Sequence, residues 1–312
     1  MRGGEATMQT RTVGAGRRAS AVWALPVYGT AGMALLLAAW VISWGQVRPL
    51  AQFTFFPTWL GYILLIDSIV LARRGTSLLA HGLLPFIRLF LLSSVFWWGF
   101  ELLNRPVQNW HYLGAEGYTP LAFFLASSLA FSTVLPAVLE TATLVASLNR
   151  PEAYMRLDRP PIPMRRLQLV VAIGLITFAA TFMWPHQAYG FLWVSGLLVI
   201  EPIIWISGGS SSFRRIAAGD YTLMATLFAA GITCGMLWEM WNYYALPKWY
   251  YVLPGINAPK FFEMPLPGLL GYFPFALELY AMYNLSLLIF GGYSLFEAVI
   301  QHPGAPAAAA GR

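Results

Sequence analysis

Charged residues are scarce in this chain: they make up only 10% of its 312 residues, whereas 58% are hydrophobic. Soluble domains carry about 25% charged residues, so this composition excludes an ordinary soluble protein. The apolar residues form long runs that contain few charges, which is typical of helices that cross a membrane. The sequence therefore predicts an all-α integral membrane protein.

The chain also lacks the residues from which most cofactor and metal sites are built. Its single cysteine, Cys234, excludes an intrachain disulfide. Its four histidines are scattered and do not have the spacing that haem or a metal ion needs. The sequence has no Gly-rich phosphate loop, no HExxH or GxSxG motif, and no aspartate pair that would hold Mg²⁺ and a diphosphate. We therefore expect no cofactor and no metal site, so any enzymatic chemistry has to work by proton transfer alone.

The apolar runs predict about eight membrane spans. The net charge of +6 comes largely from arginines in the N-terminal tail and in a Pro-rich linker. This distribution predicts membrane orientation, with both termini in the cytoplasm, and gives no reason to expect nucleic acid binding. We expect the inner (cytoplasmic) membrane of a bacterium. The predicted spans are roughly 21–45, 53–72, 82–104, 122–148, 166–184, 188–207, 220–245 and 268–298.

Acidic residues inside the predicted spans recur along the chain. The Glu-x-x-Asn spacing at Glu101 and Asn104 returns in the second half at Glu239 and Asn242. Two further acid pairs recur, one at this same offset and one at a slightly shorter offset. Each half holds four spans, an even number, so the two halves enter the membrane in the same direction as a parallel repeat. The matched acids are Asp67 and Glu201, Glu101 and Glu239, and Glu140 and Glu278.

This pattern predicts five regions in the chain. Two four-helix repeats cover 21–148 and 166–300, and a cytoplasmic Pro-rich linker at 149–165 joins them. The basic tail at 1–20 and the tail at 301–312 are predicted to be disordered.

Six acids in apolar spans are expensive if they face lipid as charged groups, at about 2.5–3.5 kcal/mol each. We expect them to face the interior, where several remain protonated and can donate protons. The predicted catalytic residues are Glu101, Glu239, Glu140 and Glu278. The predicted substrate-binding residues are Asn104, Asn242, Trp98, Trp238, Asp67 and Glu201, because amides can orient a carboxyl group and aromatic faces stabilise a cation.

A purely structural interpretation stands beside this one. Intramembrane acids and asparagines also join helices through hydrogen bonds. Asp67 and Glu201 could instead form a salt bridge with Arg88, and tryptophans often lie in the membrane interface belt. The long aromatic segment at 246–267 is predicted to lie along the outer interface as a lid or lipid gate, with Glu263 facing water.

Two stretches carry a resemblance to a known family. FELLNRPVQNW with PAVLE, and WEMWNYYALPKW with MPLPGLLGYFPFALE, resemble the small membrane-type lycopene cyclase domain family, which also has duplicated halves. Members of that family usually carry a double glutamate in the second segment and three spans in each half, whereas Glu140 and Glu278 stand alone here. The resemblance implies acid-triggered cyclisation of a long isoprenoid without net redox change, a solution similar to that of small membrane terpene cyclases.

These observations favour a membrane enzyme that cyclises or isomerises an isoprenoid or carotenoid-like lipid. In this hypothesis Glu101 or Glu239 protonates an alkene, and Glu278 or Glu140 later removes a proton. One alternative is a proton- or ion-coupled transporter, which would have broken helices near the midplane, and Pro202 beside Glu201 favours it. Another is a non-catalytic subunit that binds a pigment or quinone. The expected partners are an apolar lipid and the membrane, and the sequence leaves the oligomeric state open.

Overall fold

The computed structural model describes residues 25–148, 162–256 and 258–301. Within these residues, eight helical segments are long and apolar enough to cross a membrane, which confirms the predicted all-α membrane fold. The predicted tail at 1–20, residues 149–161 of the linker and residues 302–312 lie outside the described residues. Gln301, which the sequence analysis places in the C-terminal tail, is instead the last residue of a helix.

The helices of the described residues follow in chain order, joined by short loops and 3₁₀ turns. They are α1 (Val27–Trp44), α2 (Phe55–Arg74), α3 (Leu83–Val107), α4 (Pro120–Phe131), α5 (Val134–Leu148), α6 (Met164–Met183), α7 (Pro185–Ala188), α8 (Leu192–Ile206), α9 (Ser212–Ala217), α10 (Thr222–Tyr243), α11 (Tyr272–Phe290) and α12 (Leu295–Gln301). Helices α4 and α5 together form the fourth span, and α7 with α8 forms the sixth.

Small residues set how closely the helices pack. A Cβ atom added at Gly32 on α1 would lie 2.9 Å from the carbonyl oxygen of Gly61 on α2, and one added at Gly61 would lie 2.5 Å from the Leu36 nitrogen. Gly174 on α6 is similarly tight against α8, 2.9 Å from the Leu198 Cβ. In lipid, where burial of apolar surface gives little driving force, such close backbone contact is a main source of helix association.

The fourth span, predicted over 122–148, consists of two helices with a short break between them. Pro136 has no N–H group, and its ring disfavours a helical carbonyl four residues earlier, so the helix stops at Phe131 and restarts at Val134. Ser93 of α3 satisfies the backbone at the break, since its hydroxyl donates to the Phe131 carbonyl at 2.6 Å and accepts from the Leu135 N–H at 2.9 Å.

The eighth span is also shorter than predicted. Helix α11 ends at Phe290, and α12 is a separate helix that packs against α5. Arg74 of α2 donates to the carbonyl oxygens of Val299 and Ile300 at 3.2 Å each. This contact ties the end of α12 to the end of α2.

A small antiparallel ribbon lies where the sequence predicted only loops. Strand β1 (Trp110–Leu113) follows α3, and β2 (Lys248–Tyr251) follows α10. Trp110 pairs with Tyr251, and Tyr112 pairs with Trp249. Alternate residues of a strand point to one face, so these four aromatic side chains share a face of the ribbon. A second, shorter ribbon joins β3 (Lys260–Phe261) and β4 (Met264–Pro265).

Candidate functional site

A cavity of about 990 Å³ lies against the aromatic face of the β1–β2 ribbon. This size falls at the upper end of typical ligand pockets, and the wall is mostly apolar. Both halves of the chain contribute to it. The aromatic lining includes Trp97, Trp110, Tyr112, Phe123, Phe131, Trp193, Trp238, Trp249, Tyr251, Tyr272 and Phe275.

The two predicted asparagines hold the ribbon in place. The Asn104 amide donates to the Trp110 carbonyl at 2.8 Å, and its oxygen accepts from the Asn109 N–H at 2.8 Å. Asn242 makes the matching contacts, donating to the Trp249 carbonyl at 2.7 Å and accepting from the Trp249 N–H at 2.9 Å. Both amides therefore position strand backbone, whereas the sequence analysis expected them to orient a glutamate.

Glu101 lies near the end of α3, under the first strand. Its Oε1 atom accepts hydrogen bonds from the Tyr112 hydroxyl at 2.6 Å, the Trp110 indole N–H at 2.9 Å and the Trp97 indole N–H at 3.3 Å. All three donors line the cavity, so aromatic side chains stand between this half-buried carboxyl group and the space a ligand would fill.

Glu239 occupies the matching place near the end of α10 and is fully buried. Its Oε1 atom accepts from the Tyr251 hydroxyl at 2.8 Å and the Tyr272 hydroxyl at 2.7 Å. The Trp249 indole N–H donates to the Tyr251 hydroxyl at 2.8 Å. The second carboxyl oxygen, Oε2, is buried without a hydrogen-bond partner among the described residues.

The two strand tyrosines lie outside the spans, and their environment keeps them protonated. Burial and the neighbouring Glu101 raise the pKa of Tyr112 well above its usual value. Burial and the neighbouring Glu239 do the same to the pKa of Tyr251. At neutral pH both hydroxyl groups are therefore hydrogen-bond donors.

Asp67 and Glu201 lie at the other end of the bundle, where they bind connecting loops. Asp67 accepts from Tyr28, Ser77 and the Leu79 N–H at distances of 2.6 to 2.9 Å. Glu201 accepts from the hydroxyl groups of Ser211 and Ser212 and from two backbone N–H groups at the start of α9. Among the described residues neither acid forms a salt bridge with Arg88. The structure thus places both predicted substrate-binding acids away from the cavity wall.

Glu140 and Glu278 are buried between helices and are not among the described residues that line the cavity. Both carboxyl oxygens of Glu140 are buried without a hydrogen-bond partner among the described residues. Glu278 packs its carboxyl group against α8, where a Cβ added at Gly196 would lie 2.0 Å from its Oε1 atom. These two predicted catalytic residues are therefore separated from the cavity that Glu101 and Glu239 approach.

The two tryptophans predicted to bind substrate differ in position. Trp238 lines the cavity and packs against Trp59, with ring centroids 5.1 Å apart. Trp98 instead faces α4, where its indole donates to the Ser128 hydroxyl at 2.9 Å and its ring stacks on Phe124. Of this pair, only Trp238 is placed to touch a ligand in the cavity.

Sequence reasoning missed the tyrosines that join the acids to the cavity. Each Glu-x-x-Asn motif is followed by a Trp-x-Tyr motif, at Trp110 and Tyr112 and again at Trp249 and Tyr251. The offset between the two Trp-x-Tyr motifs is one position longer than the offset between the acids, so a search at a fixed offset overlooks them. Tyr272 has no such signal, because a valine, Val134, stands at the corresponding position of the first half.

The segment at 246–267 covers part of the cavity, as the lid prediction requires, with Pro247, Leu253 and Met264 in its wall. The prediction that Glu263 faces water is wrong. Its side chain is only 16% exposed and forms a salt bridge with Lys248, which joins the β3–β4 part of this segment to β2.

The described residues contain no cluster of three or more acidic, histidine or cysteine side chains that could hold a metal ion. Comparison of the chain with protein-family models, curated proteins and solved structures gives no match, so the chemistry of the site has to be inferred from its own geometry.

Proposed function

We propose that this protein is a membrane enzyme that binds an isoprenoid-like lipid in the aromatic cavity and rearranges it by proton transfer. The observation that carries the proposal is that Glu101 and Glu239 are each hydrogen-bonded to a tyrosine of the cavity wall. Tyr112 bonds to Glu101, and Tyr251 bonds to Glu239. Each pair connects an acidic group to a water-poor apolar space.

The chemistry needs only protons. In the structure each phenol donates to its glutamate. For proton delivery this hydrogen bond reverses: the O–H of a protonated carboxyl group donates to the phenol oxygen while the phenol O–H turns to the alkene. The carboxyl proton then passes to the phenol oxygen as the phenol proton forms a new C–H bond, which leaves a carboxylate and a carbocation. The second pair runs in reverse and takes a proton from a neighbouring carbon, which restores a double bond. No electrons are gained or lost, and the aromatic wall stabilises the intermediate cation. Glu140 and Glu278, buried away from the cavity, have no direct step in this scheme.

Cyclisation or isomerisation of a carotenoid-like lipid is the reaction class that the cavity best supports. Its volume suits a long or folded hydrocarbon, and its wall offers many aromatic faces with few polar atoms. Asn104 and Asn242 make equivalent hydrogen bonds to strand backbone, and Tyr112 and Tyr251 make equivalent hydrogen bonds to glutamates. This equivalence supports a duplicated site. A parallel four-helix repeat is the arrangement we propose for the chain that carries it.

Isotope incorporation tests this proposal. Lipids retained after mild purification are identified by mass spectrometry, and the protein in nanodiscs is then incubated with them in D₂O. Protonation followed by loss of a different proton places deuterium on a carbon of the product. A product without deuterium, or a lipid that is recovered unchanged, contradicts the proposal.

A proton- or ion-coupled transporter is the second candidate, and one observation favours it. The fourth span breaks at residues 132–133, and both flanking residues, Phe131 and Val134, line the cavity. Pro202, by contrast, lies inside the continuous helix α8. Flux of an ion or solute that depends on pH in proteoliposomes, without conversion of any lipid, would favour transport. A stoichiometric pigment or quinone that is never converted would favour a binding subunit.

A further inference from the structure

One polar side chain on the cavity wall is unaccounted for by the proposed chemistry. Asn109 borders the cavity yet is only 1% exposed. Both polar atoms of its amide, Nδ2 and Oδ1, are buried without a hydrogen-bond partner among the described residues. The other carboxamides of the wall, Gln52 and Gln187, are exposed. Among the described residues of this mostly apolar wall, Asn109 thus carries the buried side-chain amide.

The backbone of Asn109 is held firmly, so its side chain cannot easily move to a better place. Its N–H donates to the Asn104 oxygen at 2.8 Å, and its carbonyl accepts from the Val252 N–H at 2.9 Å. Buried polar atoms without partners cost free energy, and native proteins pair most of them. Other buried polar atoms without a partner, such as the two carboxyl oxygens of Glu140, belong to residues that do not line the cavity. The Asn109 amide differs from them because its residue borders the cavity, where a bound ligand can supply the partner.

We propose that the cavity binds an isoprenoid alcohol whose hydroxyl group lies on the Asn109 amide. A hydroxyl group both donates and accepts, so it pairs with the amide oxygen and the amide nitrogen at once. A pure hydrocarbon satisfies neither atom. The hydrocarbon part of the alcohol then extends along the aromatic wall toward Phe131 and Phe275. This inference deepens the proposed function and rests on it for the lipid class.

The position of the anchor has a consequence for the reaction. Asn109 directly precedes Trp110, the residue that bonds to Glu101 and pairs with Tyr251 across the ribbon. A hydroxyl group held at Asn109 therefore fixes the position of the lipid's hydrocarbon chain relative to both tyrosine–glutamate pairs. Which double bond is protonated follows from its distance to the hydroxyl group.

Retinol and its deoxy hydrocarbon, axerophtene, serve as matched probes because they differ by one oxygen atom. Their polyene absorbs where tryptophan emits, so binding is read as energy transfer from the tryptophans of the cavity wall. The protein is used as the full chain in nanodiscs, with partition into empty nanodiscs subtracted. We expect wild type to bind retinol about tenfold more tightly than axerophtene, as one net buried hydrogen bond predicts.

Asn109→Leu removes both amide atoms and keeps the side chain apolar and similar in size. We expect it to weaken retinol binding about tenfold and to leave axerophtene binding unchanged, which also shows that the cavity is intact. Gln187→Leu, at an exposed carboxamide of the same wall, is the control and should preserve the preference for the alcohol.

Equal binding of the two probes by wild type overturns the inference, whatever the variants do. So does an unchanged preference in a folded Asn109→Leu protein, or an equal loss in the Gln187→Leu control. Failure of both probes to bind removes the cavity as a lipid site and overturns the proposed function as well. If wild type prefers the alcohol but incorporates no deuterium, binding of the hydroxyl group by Asn109 is supported and only the proposed proton transfer is overturned.

Discussion

The Glu101 and Glu239 sites carry the same acid, the same asparagine tether and the same strand tyrosine, yet they differ in the group that completes them. Trp97 of α3 fills the first site, and Gly235 stands at the corresponding position of α10. Tyr272 of α11 fills the second site, where its counterpart in the first is Val134. The large aromatic residue that completes the site therefore comes from the helix of the acid itself in the first half, and from the next long helix in the second half.

This exchange is sterically coupled. A Cβ atom added at Gly235 would lie 2.3 Å from the Tyr272 ring, so the glycine is what lets the tyrosine reach Glu239. The result is a more enclosed second acid, fully buried and bonded by two phenols, beside a half-buried first acid bonded mainly by indoles. Two similar motifs therefore have different surroundings, and the proposed division of roles into one acid and one base requires such a difference.

The largest effect should come from removing the acids one at a time. Glu101→Gln and Glu239→Gln keep size and hydrogen-bonding capacity but cannot exchange a proton, so each should lower turnover by about 10²–10⁴-fold. Turnover is measured as product formed from the retained lipid, with thermal unfolding as a check on the fold. Asp67→Asn, far from the cavity, is the comparison variant. Loss in only one of the two glutamine variants would show that the sites are not partners.

Gly235→Ala tests the steric exchange. Its methyl group should push Tyr272 away from Glu239 and destabilise the protein by about 1–3 kcal/mol, a typical cost of overpacking. The matched control is Gly99→Ala on α3, where an added Cβ meets no atom within 4 Å. Thermal unfolding in nanodiscs compares the two variants. If the Gly235 variant is as stable as the Gly99 variant, the close approach of Tyr272 to α10 is wrong.

The asparagine tethers should be equivalent in strength. Asn104→Ala and Asn242→Ala each remove bonds to strand backbone and should cost about 1–3 kcal/mol, because buried N–H and carbonyl groups lose their partners. Hydrogen exchange of β1 and β2 measures the effect locally. Both strands should exchange faster in either variant, since they pair with each other. Faster exchange in one strand alone would contradict a shared ribbon.

The smallest effect concerns pH. The folded-state pKa values of Tyr112 and Tyr251 are raised above the usual value of about 10. A raised pKa contributes stability that is complete below about pH 10 and is lost as pH rises through the folded-state pKa. In a pH titration followed by tyrosinate absorbance, these two phenols should therefore ionise at a higher pH than free tyrosine, and their ionisation should accompany unfolding. Tyr112→Phe and Tyr251→Phe each remove one phenol and so assign the absorbance change to a residue. Ionisation of either phenol near pH 10 in the folded protein would contradict its burial beside an acid.

Much of the fold was predictable, since long apolar runs are a local signal that does not depend on distant contacts. Pro136 is a local signal for the break between Phe131 and Val134, but the Ser93 hydroxyl that satisfies the backbone there comes from another helix and could not be predicted from the sequence. The β1–β2 ribbon was missed for a similar reason. Its pairing joins segments far apart in the chain, and two such short strands carry little periodicity of their own.

The candidate site was predictable only in part. Glu101 and Glu239 were predicted because a carboxyl group in lipid costs free energy and is retained for a reason. Trp238 was predicted because it lies beside Glu239 in the sequence. The same reasoning predicted Glu140 and Glu278 as catalytic residues alongside Glu101 and Glu239. Sequence spacing does not distinguish an acid that lies behind a cavity wall from one that is buried between helices. Asn109 carries no motif at all, and its unpaired amide becomes visible only once its neighbours are placed.

The most direct test of the central claim is a structure of the protein with its retained lipid bound. The account predicts that the lipid fills the aromatic cavity, with carbons of its reacting double bonds within about 3–3.5 Å of the Tyr112 and Tyr251 hydroxyl oxygens. A lipid that lies on the outer surface of the helices, or one whose double bonds reach neither tyrosine, would contradict it.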